Sequence, residues 1–212
     1  MLKIYTFAGG PVRTNSYLVV CTKTLDCIVI DPSQGSFGKM QPIIEQEKLH
    51  LTKIVLTHSH WDHIAEASLF VQHCTPEVLV HSEDAGNVEH PGSDGLTFWI
   101  PIEPVRVTTF LKEHDVVTVG EQQFTVIHTP GHSPGGICLY NSQEQLLFSG
   151  DTLFKGTIGR LDLVTSEPER IWSSLEKLAA LPTATKVLSG HGPATTIGSE
   201  SWLSNAKTYL GG

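Results

Sequence analysis

The stretch that decides the fold is Thr57-His58-Ser59-His60-Trp61-Asp62-His63-Ile64, which directly follows the apolar run Lys53-Ile54-Val55-Leu56. It places three histidines and one aspartate within six residues, from His58 to His63. Imidazole nitrogens and carboxylate oxygens suit catalytic zinc, iron or manganese, whereas closed structural zinc sites favour thiolates. Ordinary hydrogen bonding would explain a single loop histidine, but it explains three with an aspartate poorly. The segment therefore predicts a catalytic metal centre.

The spacing within this segment predicts two directions for its side chains. Because side chains alternate along an extended chain, His58 and His60 point to the same side and can bind one metal. Asp62 and His63 cannot both follow that alternation. The apolar pattern from Ile64 to Val71 predicts a helix that begins near Asp62 and turns both side chains toward a second metal position.

Three other apolar, strand-like runs also lead into a histidine or an aspartate. They are followed by Thr129-Pro130-Gly131-His132, Ser149-Gly150-Asp151 and Ser189-Gly190-His191. Strand ends are where α/β architectures place ligand-binding groups, and the adjacent glycines permit tight turns. Each ending alone is more often a plain turn, but together with the histidine cluster they indicate one shared site.

These motifs, in this order, resemble the metallo-β-lactamase superfamily, and within it the short, single-domain glyoxalase II-like hydrolases. The resemblance also includes Thr14-Asn15-Ser16-Tyr17-Leu18 and Val29-Ile30-Asp31-Pro32, so it extends over essentially all 212 residues. It implies an α+β fold, a four-layer αββα sandwich, as a single domain over residues 1–212. The metals would lie in a groove along one edge of the sandwich.

The resemblance also implies the metal ligands and their grouping. One divalent metal would be held by His58, His60 and His132, the other by Asp62, His63 and His191, with Asp151 as the bridge between them. Zinc is the first candidate, and the same donors accept iron or manganese. Ligating imidazoles need an acceptor for their second nitrogen, and Asp31 is a candidate, although an aspartate before proline is also an ordinary turn former.

Composition limits the partners and the compartment. A chain of 212 residues with 40% apolar content suffices for one well-filled core. A formal charge of -8 and the lack of a basic run disfavour a nucleic-acid surface. No stretch has the pattern of a signal peptide or the length of a membrane span, so we expect a cytoplasmic protein. The four cysteines have no Cys-x-x-Cys spacing and are expected to be buried, unpaired thiols.

The predicted site favours hydrolysis of small acyl thioesters such as S-lactoylglutathione. Two divalent metals can hold a bridging hydroxide and polarise a carbonyl, so no serine or cysteine nucleophile is required. A thiolate leaves readily because the pKa of its conjugate acid is about 8.5. Asp62 is a candidate catalytic residue, which either steers a proton or only ligates a metal.

Recognition of the substrate is where the sequence departs from glyoxalase II proper. That family uses a helical C-terminal region to contact glutathione, and only about twenty residues follow His191 here. It also carries an aromatic hydroxyl after its basic residue, where this chain has Asp162 following Arg160. Arg160 is therefore a candidate substrate-binding residue through a bidentate contact with a carboxylate, or else the ion-pair partner of an acid such as Asp162.

Two other classes of function remain open from the sequence. A persulfide dioxygenase of the same superfamily uses one iron held by two histidines and an aspartate, which would leave several cluster positions unused. A binding module with a structural metal would need a coordinatively closed site and no second ion. Hydrolysis of β-lactams, ribonuclease activity and flavodiiron oxygen reduction fit the sequence less well, the last because His60 stands where that family carries glutamate.

Apolar periodicity predicts alternating strands and helices along the chain. Strands are predicted at 3–7, 16–20, 27–30, 53–56, 78–80, 105–110, 116–119, 123–127, 137–140, 145–148 and 186–188. Helices are predicted at 39–47, 62–73, 83–88, 168–181 and 199–210, and a surface loop at 91–104. Two successive sets of strands, each closed by helices, suit a duplicated β-sandwich with the helices outside.

Overall fold

A computed structural model describes residues 1–211, and its first half forms a six-stranded mixed sheet. The strands lie side by side in chain order, with the first three antiparallel and the remaining pairs parallel. They are β1 Leu2–Gly9, β2 Thr14–Cys21, β3 Asp26–Ile30, β4 His50–Val55, β5 Glu77–His81 and β6 Thr109–Leu111.

The second half forms another six-stranded sheet. Strands β7 to β10 are antiparallel neighbours, β11 pairs parallel with β10, and β12 pairs antiparallel with β11. They are β7 Val116–Val119, β8 Gln122–His128, β9 Ile137–Asn141, β10 Leu146–Gly150, β11 Lys186–Ser189 and β12 Thr195–Thr196.

Short helices complete the fold. They are α1 Phe37–Gln46, α2 Trp61–Ile64, α3 Ala67–Cys74, α4 Ala85–Glu89, α5 Ile171–Ala179 and α6 Ala206–Leu210, with 3-10 turns at Ile197–Ser199 and Ser201–Asn205. Even the longest, α1, has only 10 residues. Within residues 1–211, no helix combines the length and apolar character needed to cross a bilayer.

Alternation along the buried strands explains the layers. In β2, Leu18 and Val20 pack with α1 and α3 on the outer side, whereas Tyr17 and Val19 pack between the two sheets. Residues of α5 cover the outer side of the second sheet at Leu175 and its neighbours. The predicted four-layer αββα sandwich is thus confirmed. The four cysteines are unpaired, and three of them are buried in this core.

The single helix predicted at 62–73 is wrong, because the structure has two helices there. The break lies at Glu66, whose backbone N–H donates to the Pro32 carbonyl at 2.9 Å instead of continuing the helix. The Glu66 carboxylate accepts hydrogen bonds from the backbone N–H groups of Gly35 at 2.6 Å and Phe37 at 2.8 Å. Contacts with the turn before α1 therefore divide the helix and keep α2 to four residues.

The strand predicted at 105–110 is also shorter than expected. Only Thr109–Leu111 pairs with β5, since the preceding backbone follows α4 instead. The N–H of Val105 donates to the Val88 carbonyl at 3.3 Å, and that of Val107 to the Glu89 carboxylate at 3.1 Å.

Two further helix predictions were too long. The helix predicted at 168–181 begins only at Ile171, after a turn in which Arg170 N–H donates to the Glu167 carbonyl at 2.9 Å. The segment predicted as one helix at 199–210 divides into a 3-10 turn and α6. Here the Glu200 side chain accepts from Gly156 N–H and Trp202 Nε1, so tertiary contacts shape the turn.

Candidate metal centre

Both sheets contribute to one polar cluster at the edge of the sandwich. The first sheet supplies His58 and His60 from the loop after β4, and Asp62 and His63 from α2. The second sheet supplies the other three predicted ligands from loops that follow its strands: His132 after β8, Asp151 after β10 and His191 after β11. The structure brings all seven predicted metal ligands together, in overlapping groups whose donor atoms lie within 4.8 Å of one another.

The first group consists of His58, His60 and His132, all buried. His60 Nδ1 lies 2.8 Å from His132 Nε2. The His58 ring is 4.6 Å from the His60 ring and 5.0 Å from the His132 ring, centroid to centroid, with edge-on orientations. Three imidazoles that converge in this way match the three-histidine donor set of catalytic zinc sites, which leave a position open.

The second group consists of Asp62, His63 and His191. Asp62 Oδ2 lies 3.4 Å from His63 Nε2 and 3.3 Å from His191 Nε2. A hydroxyl that was not predicted as part of the site, Thr14 Oγ1, donates to the same Asp62 oxygen at 2.5 Å. This group therefore offers a second metal position built from two imidazoles and one carboxylate.

Asp151 lies between the two groups. Its Oδ1 is 3.3 Å from His63 Nε2, and its Oδ2 is 3.5 Å from His132 Nε2 and 3.4 Å from His191 Nε2. Two donors at about 2.1 Å from a tetrahedral metal are about 3.4 Å apart. The spacing of the donors thus fits a divalent ion in each group, with the Asp151 carboxylate reaching both.

Several of these donors have no hydrogen-bond partner. His58 Nε2, His63 Nε2 and Asp151 Oδ1 are buried and unpaired in the described chain. Buried polar atoms in native proteins are nearly always satisfied, so three unpaired donors that face one another suit the binding of a cation. The residues present therefore fit a metal centre.

The electrostatics of the two groups differ. Burial opposes the charged form of His63, but the carboxylates of Asp62, Asp151 and Asp31 raise its pKa well above the usual value. For His191, burial is likewise outweighed by hydrogen bonds to Asp151 and Asp62, which raise its pKa to about 9. The carboxylate-rich group therefore attracts positive charge strongly.

In the first group, His58 and His60 favour the neutral form instead. Burial, reinforced by neighbouring imidazoles, lowers the pKa of His58 well below its usual value and that of His60 to about 3. Burial raises the pKa of a carboxyl group, yet the nearby His63 charge pulls the pKa of Asp151 well below its usual value. Neutral imidazoles beside an ionised carboxylate are the protonation states that metal binding requires.

In His63, His132 and His191 the second ring nitrogen has an acceptor of its own. His63 Nδ1 donates to Asp31 Oδ2 at 2.9 Å, so the predicted contact of Asp31 with a ligating imidazole is present. His132 Nδ1 donates to the Arg160 carbonyl at 2.8 Å, and His191 Nδ1 to the Val12 carbonyl at 3.1 Å. These acceptors fix the tautomers that leave the Nε2 atoms free for a metal.

Asp31 also reaches a second ligand through Thr57. Thr57 Oγ1 donates to Asp31 Oδ2 at 2.7 Å and lies 3.1 Å from His58 Nδ1. The hydroxyl can therefore accept from His58 while it donates to Asp31. One buried carboxylate thus orients imidazoles in both groups.

Two glycines allow close approach to the site. A Cβ atom at Gly190 would collide with Asp151 Oδ1 and would lie 2.7 Å from His63 Cε1. A Cβ at Gly159 would collide with the Asp151 carbonyl and would lie 2.9 Å from His132 Nδ1. The Gly190-His191-Gly192 motif is therefore explained at its first glycine by the space that the Asp151 carboxylate occupies.

Asp84 is a buried residue of the site that the sequence did not reveal. Its Oδ2 accepts from Ser59 N–H at 2.7 Å, between His58 and His60, and its Oδ1 accepts from Gly135 N–H at 2.6 Å. It therefore joins the two loops that carry the first group. Asp84 lies on a turn with no motif around it, so only the folded chain identifies it.

A groove of about 520 Å³ opens over the ligands. Its walls are mainly apolar, formed by Val12, Trp61, Leu96, Trp99, Phe154 and Leu163. Trp61, which lies between the predicted ligands His60 and Asp62 in the chain, is among them. The predicted loop 91–104 is irregular, and it supplies Leu96 and Trp99 to this wall.

Arg160 also lines the groove, but its guanidinium is already paired. Its Nε donates to Asp162 Oδ1 at 2.8 Å, and one terminal nitrogen donates to Asp162 Oδ2 at 3.0 Å. The ion-pair alternative is therefore the one present in the structure. A role of Arg160 in substrate binding stays a prediction.

His81 and His128 are two histidines that lie close together outside the cluster. Their rings stack at 3.9 Å with an angle of 14° between their planes. His128 Nε2 donates to the Pro134 carbonyl at 2.9 Å and so supports the turn after His132. A carboxylate oxygen of Glu83 lies within 4.8 Å of a ring nitrogen of each histidine, as in a possible metal site. The two rings are parallel, however, so their in-plane lone pairs cannot both point at one ion.

The αββα sandwich and the two groups of donors at its edge are typical of a metal-dependent enzyme. A family model described as the metallo-beta-lactamase superfamily matches residues 9–191. The chain belongs to the metallo-beta-lactamase superfamily.

Relatives in this superfamily cover nearly the whole chain. A probable metallo-hydrolase, YqgX of Bacillus subtilis, is 33% identical over 194 residues, covering 89% of this chain and 89% of the relative. A hydroxyacylglutathione hydrolase, GloC of Haemophilus influenzae, is 32% identical over 180 residues, covering 81% of this chain and 82% of the relative.

Solved structures agree with the fold. The BLEG-1 B3 metallo-beta-lactamase superposes with a TM-score of 0.85 at 34% identity, covering 93% of this chain and 96% of that chain. A di-iron-bound form of TTHA1623 has a TM-score of 0.80 at 35% identity, with the same coverage.

Proposed function

We propose that this protein is a dinuclear-metal hydrolase of small acyl thioesters. The observation that carries the proposal is the position of Asp151, whose oxygens lie within 3.5 Å of His132 Nε2 in the first group and of His63 Nε2 and His191 Nε2 in the second. A mononuclear iron dioxygenase would leave half of this arrangement without a role. Similarity to GloC supports the thioester class, and similarity to a di-iron protein supports two metals.

The residues would divide the work as follows. His58, His60 and His132 would hold one divalent ion, Asp62, His63 and His191 the other, and Asp151 would contact both. Two such ions supply hydroxide at neutral pH and polarise a carbonyl. Thr14 fixes the Asp62 carboxylate by its hydrogen bond, and the pKa of Asp62 is lowered to about 2 because the nearby His63 and hydrogen bonds outweigh its burial. Asp62 is therefore ionised at neutral pH, as a ligand or a proton acceptor must be.

The leaving group favours a thioester over an amide. A thiolate departs without protonation, whereas an amine must receive a proton. Apart from the predicted metal ligands, the polar side chains among residues 1–211 that line the groove are Thr97 and Arg160. Neither can act as a general acid near neutral pH, because neither gives up its proton in that range. The groove thus suits a substrate whose leaving group needs no acid.

Metal analysis combined with two assays tests this proposal. The metal-loaded protein should bind two equivalents of metal and release thiol from S-lactoylglutathione or from a simpler acyl thioester. One equivalent of iron with oxygen uptake on glutathione persulfide would instead establish the dioxygenase.

The substitution Asp151→Ala should remove the second metal and most of the activity. We expect kcat/KM to fall by more than about 100-fold, since loss of even an outer partner of a ligand typically costs about 10- to 100-fold. Metal content is measured by elemental analysis and activity by thiol release. The matched control is Asp115→Ala, whose carboxylate accepts from Lys112 N–H in a turn of the second half. Retention of both metals at wild-type activity would refute the bridging role.

A further inference from the structure

We infer that Trp61, Leu96 and Trp99 form an acyl subsite, and that the substrate is a thioester with an apolar acyl chain. This inference rests on the proposed function and specifies its substrate. Two observations support it: the groove walls are mainly apolar, and the cationic side chain that lines the groove, Arg160, is already paired with Asp162.

The wall beside the ligands is aromatic and accessible. Trp61 lies between His60 and Asp62 in the chain, and its ring meets that of Trp99 edge-to-face with centroids 5.8 Å apart. Trp99 is 76% exposed, although so large an apolar side chain normally avoids water. Leu96 lines the same groove. Exposed apolar groups beside a catalytic site mark a surface that a ligand covers.

The groove offers little to a charged carrier. Glutathione conjugates carry two carboxylates, which would need cationic partners to leave water. Among residues 1–211, the groove has Arg160 as its only lysine or arginine, and Asp162 already neutralises it through two hydrogen bonds. A substrate carboxylate would have to displace Asp162 to bind there.

The apolar part of a biological thioester is its acyl chain. Thiol carriers contain amides and charged groups, so they match an aromatic wall poorly. An alkyl chain matches it well, because each methylene removed from water contributes about fourfold to binding. The wall begins next to His60 and Asp62, so a chain attached to a carbonyl at the metals reaches Trp61 first and Leu96 and Trp99 beyond it.

A chain-length series tests the subsite. The metal-loaded protein is assayed with acetyl, butyryl and hexanoyl thioesters of N-acetylcysteamine, and with S-lactoylglutathione, by thiol release. We expect kcat/KM to rise with chain length by up to about fourfold per methylene. In Trp99→Ala and in Leu96→Ala, the ratio of hexanoyl to acetyl kcat/KM should fall by about 16-fold, the contribution of two methylenes.

Phe110→Ala is the matched control. Phe110 is also an exposed aromatic residue, 57% accessible, but it lies on β6 and does not line the groove. Its substitution should leave the hexanoyl to acetyl ratio unchanged. A second readout is independent of turnover: hexanoate should shift the tryptophan emission of the metal-loaded protein to shorter wavelength at lower concentrations than acetate, and Leu96→Ala, which keeps both tryptophans, should raise the hexanoate concentration needed.

The outcomes separate the subsite from the proposed function. Thioester turnover with no dependence on chain length, or with the same ratio in wild type and both wall variants, overturns the acyl subsite and leaves the hydrolase intact. A preference for S-lactoylglutathione over the hexanoyl thioester also overturns it. Absence of turnover with every thioester overturns the hydrolase proposal and the inference together.

Discussion

At the scale of single residues, Asp31 shows how one carboxylate organises a metal centre. It accepts from His63 Nδ1, from Thr57 N–H at 2.8 Å and from Thr57 Oγ1, all in a site where its side chain is 1% exposed. Its backbone has φ of 50°, in the left-handed region that aspartate and asparagine tolerate better than other non-glycine residues. The turn at the end of β3 thereby directs the carboxylate under the ligands.

The substitution Asp31→Asn should therefore weaken metal binding without disturbing the turn. An amide has only one acceptor oxygen, so either His63 or Thr57 would face an N–H₂ group. We expect metal affinity to fall by about 10- to 100-fold, as measured by competition with a chelator. Asp26→Asn, at the other end of β3, is the control and should keep the wild-type affinity. Equal affinity in both variants would show that His63 does not depend on Asp31.

At the scale of elements, the loops that carry ligands are joined by buried hydrogen bonds between distant parts of the chain. Asp84 connects the loop after β4 with the loop after β8. Asn15 Nδ2 donates to the carbonyls of Ser189 at 3.0 Å and Gly192 at 2.9 Å, and so holds the His191 turn against β2. The break at Glu66 similarly keeps α2 short, which leaves Asp62 and His63 facing the cluster.

Replacement of Asp84 should affect the first metal group more than the second. Asp84→Ala leaves two backbone N–H groups without an acceptor, each costing about 1–3 kcal/mol, offset in part by loss of the buried carboxylate. Burial raises the pKa of Asp84, so the ionised carboxylate is itself costly. We expect lower thermal stability and selective loss of one metal equivalent on chelation.

Glu83→Ala is the control for that prediction. Glu83 is the neighbouring acid in the same turn, and its carboxylate contacts His128 and Arg170 rather than the backbone of the ligand loops. This variant should retain both metals. Loss of both equivalents together in Asp84→Ala would argue against a separate role of the two groups.

At the scale of the whole molecule, the cluster connects the two sheets. Four ligands belong to the first half of the chain and three to the second, so bound metal would cross-link the layers of the sandwich. The chain also buries six of these side chains to 12% exposure or less, with His191 at 24%. Several polar groups are therefore satisfied only when a cation is present.

Removal of metal should lower the melting temperature. A bound metal at a concentration 100-fold above its dissociation constant adds about 2.7 kcal/mol to the free energy of unfolding. A change of about 1 kcal/mol shifts the Tm of a domain of this size by about 2–4 °C. We expect a decrease of about 5–10 °C on chelation, measured by calorimetry and reversed by added zinc. Asp151→Ala should show a smaller shift. An unchanged Tm in the wild-type protein would contradict the cross-link.

The sequence by itself determined the donor types and where strands end. The grouping of His58, His60, Asp62, His63, His132, Asp151 and His191 into two metal positions was implied by the resemblance to the superfamily. Each residue was singled out because it follows an apolar run, and local patterns of this kind depend only on nearby residues. The same is true of the strands, most of which begin and end within two residues of prediction. The αββα arrangement followed from the motifs that resemble the superfamily.

The tertiary structure alone decided which distant groups meet. The break at Glu66 depends on Pro32 and Gly35, the role of Asp84 on backbone 25 and 51 residues away, and the pairing of Trp99 with Trp61 on the course of an irregular loop. None of these contacts leaves a local pattern in the sequence. A buried N–H can donate to any acceptor, and an aromatic face can pack against any apolar group, that the folded chain brings to it.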